Sequence, residues 1–315
     1  MDYSNFVKTN RQYNLLLEQF SAGKMNHVCL LKSPDSNFSK EIVLSLAAKI
    51  VDCPLAQVQK KIHPDVFVYG EDGKIDVSCA GEIIDSLLTR PYSAKHKVYC
   101  LLGIENMNEA SQNKLLKSLE EPPKDVIFLL TTANTKKVLS TILSRAVSIE
   151  LDNLSSEQIL ELLTSGGATK QAAEIAVSCC GNNSTLAQKL TSEQFVSLYN
   201  LTLEMLESVN GSRDCLKYVS LLDSKQFSKT DILDVCTLFV RDVAMINAGE
   251  RKLVINSHHI DNLSRIAACM NLVAAGNILS KINQLKQNLF FNANASAVLD
   301  NLILTIAEEK TKCRK

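Results

Sequence analysis

A chain of 315 residues exceeds one typical domain, so two or three domains are expected, each able to bury its own core. Lys plus Arg and Asp plus Glu both number 34, and this balance, with only 5% aromatic residues, excludes a chain that grips nucleic acid by a basic face of its own. The ten cysteines are scattered, several inside apolar runs, and read as small hydrophobes in a reducing compartment, not as a disulfide framework. Met1-Asp2-Tyr3 opens a polar stretch without the basic and apolar parts of a leader, and no apolar run approaches the ~18 residues that span a bilayer. A cytoplasmic protein without membrane contact is expected.

In chain order, residues 1–24 read as one amphipathic helix with Leu15, Leu16, Leu17 and Phe20 apolar, stopped near Gly23. A strand follows over His27 to Leu31, then a connection, then a helix from Ser39 to Val51. A nucleotide-binding connection would read G-x-x-x-x-G-K-[ST], its glycines letting backbone N–H groups approach phosphates while the lysine neutralises them. Here Ser33 stands for the first glycine, Phe38 for the second and Ser39 for the lysine, with Lys40 one position late. Phe38 would crowd the backbone cradle and Asp35 would repel an anion. The stretch therefore reads as a plain strand-to-helix connection with no nucleotide cofactor.

His63-Pro64-Asp65 followed by Val66-Phe67-Val68 reads as a helix-to-strand corner, with a turn over Gly70 to Gly73 and a helix entered through Lys74 to Val77. Val98 to Ile104 and Val126 to Thr132 are short apolar runs of the kind covered on both faces in a parallel sheet. Between them lies a helix carrying Leu115, Leu116 and Leu119, with Ser111 as its candidate cap and Pro122-Pro123 at its end. Glu105 and Glu109 read as solvated charges at the start of that helix. Thr131, Thr132 and Asn134 read as groups that satisfy the backbone at a strand end.

From Leu151 the pattern is helical throughout. Ser155-Ser156-Glu157-Gln158 opens one helix, Lys170 to Cys180 forms another, and a third begins near Thr185. Beyond residue 192 long helices are expected over Phe195 to Val209, Cys215 to Leu222, Ile232 to Asn247, His259 to Asn288 and Ala295 to Glu309. His258-His259 reads as a helix start, Cys179-Cys180 as packing, and the basic run Lys310 to Lys315 as solvated tail.

The run Leu115-Leu116-Lys117-Ser118-Leu119-Glu120-Glu121-Pro122-Pro123, with Ser144-Arg145 downstream, resembles the bacterial clamp-loader family, the AAA+ subunits that load the sliding clamp for DNA polymerase III. The opening helix and the His63-Pro64-Asp65 segment are also shared with that family, and the resemblance covers the whole chain and points to its delta-prime branch. It implies an α/β AAA+ nucleotide-fold domain (1–151) followed by an all-α lid bundle (152–191) and an all-α collar domain (192–315). Set against the family's Walker B strand, Leu102 and Gly103 stand where a working ATPase carries its Mg²⁺-holding Asp and water-activating Glu. Many members hold zinc with four cysteines ahead of the His-Pro-Asp segment; only Cys53 lies there, too few ligands for zinc, so no metal is expected.

The same resemblance implies that Arg145, supported by Ser144, reaches across a subunit boundary to a neighbour's ATP, where a guanidinium stabilises the transferring phosphoryl group. Ala146 replaces the cysteine of the family's Ser-Arg-Cys motif, one small apolar side chain for another. The implied protein lacks intrinsic ATPase activity and takes part in the DNA polymerase III holoenzyme. Its implied partners are the motor (gamma/tau) and delta subunits, with the sliding clamp touched indirectly and primer–template DNA met only in the assembly, through Lys136-Lys137 or near the first helix. The alternative is a divergent ATP-hydrolysing motor subunit.

Overall fold

The computed structural model of the protein describes residues 2–71, 75–224, 227–290 and 295–313. They form two units: Met1–Gly167 with Asn182–Ala187, and Ala168–Gly181 with Gln188–Lys315. The first is an α/β unit around a five-stranded parallel sheet; the second, among the described residues, is helical.

The chain enters through α1 (Ser4–Thr9) and α2 (Arg11–Ser21), not one continuous helix. Asn10 breaks it: its backbone is extended and its side chain accepts from the Tyr13 N–H, restarting the helix with a fresh cap. The strands are β1 (Val28–Lys32), β2 (Val66–Tyr69), β3 (Lys97–Leu101), β4 (Val126–Thr132) and β5 (Val147–Glu150), ordered β2-β3-β4-β1-β5. β4 is buried along its whole length, as its unbroken apolar run requires. Phe67, Tyr99 and Phe128 are direct cross-strand partners on β2, β3 and β4. Their rings stack at 4.9 and 5.3 Å, and the buried Tyr99 hydroxyl meets Ser86 Oγ at 2.8 Å. Aromatic pairs in register fix the sheet against slippage.

Helix α3 (Ser36–Ile50) lies against β3 and β4, and buries Ile42, Val43, Leu46 and Ala47. It starts three residues earlier than the sequence suggests, because Asp35 caps it by accepting from the Phe38 N–H. After α4 (Leu55–Gln59) come α5 (Val77–Leu87), capped by Asp76, and α6 (Glu109–Glu120). The cap of α6 is Asn108, whose Oδ1 accepts from Ser111 N; Ser111 is the donating position in the first turn, not the cap. In the expected turn at Gly70 to Gly73 and entry at Lys74, residues 72–74 lie outside the described residues. α7 (Ser140–Leu143) precedes β5, and α8 (Ser156–Ser165) opens on a capping box of Ser155 and Gln158.

In the helical unit, α9 (Lys170–Cys180) has the expected bounds, and α10 (Ser184–Leu190) has its first residues in the α/β unit. α11 (Glu193–Ser208), α12 (Ser212–Ser224), α13 (Lys229–Asn247), α14 (Ile260–Cys269), α15 (Leu272–Phe290) and α16 (Ala295–Cys313) follow. The helix expected over His259 to Asn288 is two, since Met270 turns extended and Asn271 starts α15 by accepting from Ala274 N. His258 and His259 close a 3-10 turn directly before α14. Buried Asp242 accepts from Ile255 N, Asn256 N and Asn256 Nδ2, while Tyr199 donates to Asn256 Oδ1 at 2.7 Å, pinning the loop before α14 to α11 and α13.

The solvated-tail reading fails at Lys310. Its side chain is 1% exposed, and Nζ donates to the carbonyls of Leu206, Glu207 and Val209 at 2.7–3.1 Å. A cation there satisfies the unpaired carbonyls at the end of α11 and opposes its dipole. Arg314 and Lys315 lie outside the described residues. Among the described residues, no single helix is long and apolar enough to cross a membrane.

Candidate functional site

The C-terminal edge of a parallel sheet is where doubly wound folds bind phosphates, and β1, β3 and β4 bring the candidate residues there. A cleft of about 260 Å³ in the α/β unit is lined by Ser36, Asn37, Lys40, Glu71, Leu102, Gly103, Glu105 and Thr131, among others. Five sequence-marked residues therefore meet: Lys40, Leu102, Gly103, Glu105 and Thr131.

The connection after β1 is filled by its own side chains. Phe38 is 1% exposed and its ring lies 6.1 Å from that of buried Tyr3, so an aromatic pair takes the space that glycines would leave open. Ser33 is buried, its hydroxyl accepting from Asp35 N, and Ser39 donates to Ser36 O within the first turn of α3. The Asp35 carboxylate is fully buried. Its Oδ1 accepts from Phe38 N at 3.1 Å, Thr185 N at 3.3 Å and Thr185 Oγ1 at 2.7 Å, and its Oδ2 accepts from Ser184 N at 2.6 Å. Thus Asp35 is no repelling bystander: its anion sits at the start of α3 and at the first residues of α10.

Lys40 is engaged too. Its Nζ lies 2.7 Å from Glu71 Oε1, and Lys61 Nζ lies 2.6 Å from Glu71 Oε2. Partial burial pushes the Glu71 carboxyl up, but hydrogen bonds from the two lysines outweigh it and hold Glu71 below the usual carboxylate range.

At the end of β3, Leu102 is buried, and its N–H donates to Tyr69 O. Gly103 adopts φ +67°, its N–H donating to Thr131 Oγ1 at 2.9 Å. Neither residue offers a carboxylate. Glu105 is not a solvated helix-start charge; its Oε1 accepts from Ala133 N at 2.9 Å, and its Oε2 is shielded with no hydrogen-bond partner. Thr132 Oγ1 accepts from Asn134 N and Asn134 Oδ1 from Lys136 N, so these groups do satisfy the local backbone.

Asp65 has a role that the sequence did not reveal. Its buried carboxylate accepts from the N–H groups of Tyr92, Ser93 and Ala94 and from Ser93 Oγ, holding the loop ahead of β3. Burial raises this carboxyl, yet the backbone N–H groups prevail and hold it below the usual range. Cys53 is a free, partly buried thiol, and no group of three or more His, Cys, Asp or Glu is set to hold a metal among the described residues.

Arg145 lies apart from the cleft, just after α7. Its Nη1 donates to Thr141 O at 2.9 Å, its Nη2 lies 3.0 Å from Glu120 Oε1 at the end of α6, and its Nε is shielded without a partner. Ser144 Oγ donates to the same Thr141 carbonyl at 3.0 Å. Ala146 is buried in the hydrophobic core of the α/β unit, with Val138 and Ile142 in the same cluster.

A family model described as "DNA polymerase III, delta subunit" matches residues 8–155. The chain is 20% identical to DNA polymerase III subunit delta′ of Bacillus subtilis over 95% of this chain and 96% of that one. It is 31% identical to DNA polymerase III subunit gamma of Buchnera aphidicola, spanning 46% of this chain but only 43% of that relative, less than half its length. A solved structure of a DNA polymerase III gamma subunit-related protein from Thermotoga maritima shares the fold at TM-score 0.51 and 19% identity, over 94% of this chain and 99% of that one. The five-stranded parallel sheet, the match over residues 8–155 and the near full-length likeness to a delta-prime subunit point the same way: the chain is similar to clamp-loader subunits of DNA polymerase III, the delta-prime subunit among them.

Proposed function

We propose that this protein is a non-hydrolysing subunit of the DNA polymerase III clamp loader. It assembles with motor (gamma/tau) and delta subunits to load the sliding clamp on primed DNA, and offers Arg145 to ATP bound by a neighbour. The observation that carries the reading is the phosphate connection liganded by its own Asp35 and filled by Phe38. An ATPase needs an open backbone cradle, a Mg²⁺ carboxylate and a water-activating carboxylate. The last two positions hold Leu102 and Gly103. Hydrolysis then belongs to the neighbour.

Arg145 supports the trans role because its side chain, just after α7, is partly exposed, at 29%. A guanidinium there neutralises charge that develops on the transferring phosphoryl group. Residues 152–191 are the lid, a fixed spacer in the absence of nucleotide, and residues 192–315 the collar that joins subunits. Lys136 and Lys137, both exposed, are a contact for primer–template DNA within the assembly.

The test is DNA- and clamp-stimulated ATP hydrolysis by motor and delta subunits reconstituted with wild-type chain or Arg145→Ala. Wild type raises turnover, and the variant assembles but loses at least about tenfold, roughly 1.4 kcal/mol of transition-state stabilisation. Equal turnover with both proteins refutes the trans-arginine role, and ATP hydrolysis by the chain alone refutes the whole reading.

A further inference from the structure

Arg145 is held at both terminal nitrogens by its own chain. Nη1 spends one N–H on Thr141 O, and Nη2 faces Glu120 Oε1 at 3.0 Å. A guanidinium has two N–H groups on each terminal nitrogen, so each keeps one. Glu120 is the last residue of α6, just ahead of Pro122-Pro123, and α6 packs against α7. The carboxylate and the Thr141 carbonyl therefore come from two packed helices, and together they restrict an otherwise flexible side chain.

We propose that Glu120 is a positioning residue for Arg145. It fixes the guanidinium at the α6–α7 corner so that the remaining N–H of each terminal nitrogen meets the phosphate of a nucleotide bound by the adjacent subunit. The proposal rests on the trans-arginine reading above. Two effects compete: Glu120 orients the guanidinium and also offsets its charge. The pair is open to solvent, with the Glu120 side chain 55% exposed, so charge offset is screened and orientation dominates.

The experiment compares wild type, Glu120→Ala, Glu120→Gln, Arg145→Ala and the Glu120→Ala/Arg145→Ala double variant in the reconstituted, DNA- and clamp-stimulated ATPase. Glu120→Ala is expected to lower kcat by roughly three- to tenfold with KM for ATP unchanged, since the nucleotide site belongs to the neighbour. Glu120→Gln keeps an acceptor oxygen and retains most of the turnover. The double variant falls no further than Arg145→Ala, the sign that Glu120 acts only through the arginine. If Glu120→Ala matches or exceeds wild type while Arg145→Ala loses activity, the positioning role is overturned and the trans-arginine reading survives. If Arg145→Ala matches wild type, both fall. A second measurement needs no assembly: ¹⁵N NMR of the Arg145 side chain in the free protein should show restricted guanidinium motion in wild type and released motion in Glu120→Ala, and equal restriction in both overturns the proposal.

Discussion

Removing the Asp35 carboxylate should loosen one specific joint, between the start of α3 and residues 184–185. The carboxylate accepts from two buried main-chain N–H groups, Phe38 and Ser184, and from Thr185 through both its N–H and its hydroxyl. The Thr185 hydroxyl also accepts from Asn37 N, so it keeps a partner. The Phe38 and Ser184 N–H groups lose the acceptor, and each buried orphan costs about 1–3 kcal/mol. Asp35→Ala should therefore destabilise this region by about 3 kcal/mol, and Asp35→Asn by about 1–2, because one oxygen is retained while an NH₂ is turned toward Ser184 N. Hydrogen exchange read amide by amide is the assay. At about 1.4 kcal/mol per decade, the Ser184 amide in Asp35→Ala should exchange roughly a hundredfold faster, if local opening governs it. Unchanged protection at Ser184 with unchanged melting would refute the idea that the buried anion ties this joint.

Two further outcomes are expected. Asp65, whose carboxyl is held below the usual range, contributes stability that is complete above its unfolded pKa of about 3.9 and fades as pH falls through its lower folded pKa; exchange at the amides of Tyr92, Ser93 and Ala94 should accelerate below about pH 4, and Asp65→Asn should show that acceleration already at neutral pH. Lys310→Met, which leaves the carbonyls at the end of α11 without their cation, should lower stability by about 2–4 kcal/mol in urea unfolding.

The central strands were legible because burial on both faces leaves a direct mark, an unbroken apolar run, as in Val126–Thr132, whereas β5, largely exposed, carries no such mark and was not foreseen. Helix ends were legible where the cap is local, as at Ser155 and Gln158. Helix breaks were harder: Asn10 and Asn271 restart helices with no proline or glycine, and the apolar period runs on through both. Asn108 competed with Ser111 as a cap, and only backbone geometry separates two good capping residues three positions apart. The loss of the phosphate-loop glycines was readable, but what replaced them was not. Asp35 meets residues 149 and 150 positions away, and Lys310 meets carbonyls more than a hundred positions away. No local pattern encodes such partners. For the same reason the Ser144-Arg145 pair could be singled out, while Glu120 could not be named as its partner.

How each charge is balanced separates the connection after β1 from the segment that carries Arg145. At the phosphate connection, the anion's place is taken by a carboxylate with no solvent exposure, held by four donors. Lys40 is tied to a glutamate that a second lysine also grips. An incoming phosphate would have to displace a buried, fully hydrogen-bonded anion, and breaking such a unit costs about 3–5 kcal/mol before any new contact forms. At Arg145 the balancing carboxylate is 55% exposed and bound through one nitrogen. A pair of that kind contributes about 0–1 kcal/mol, so a multiply charged phosphate can engage the same guanidinium without a large penalty. The asymmetry is what the proposed function requires of the two places: a buried, fully engaged anion at the connection after β1, and at Arg145 a cation whose weak, exposed partner leaves it open to the nucleotide of a neighbouring subunit.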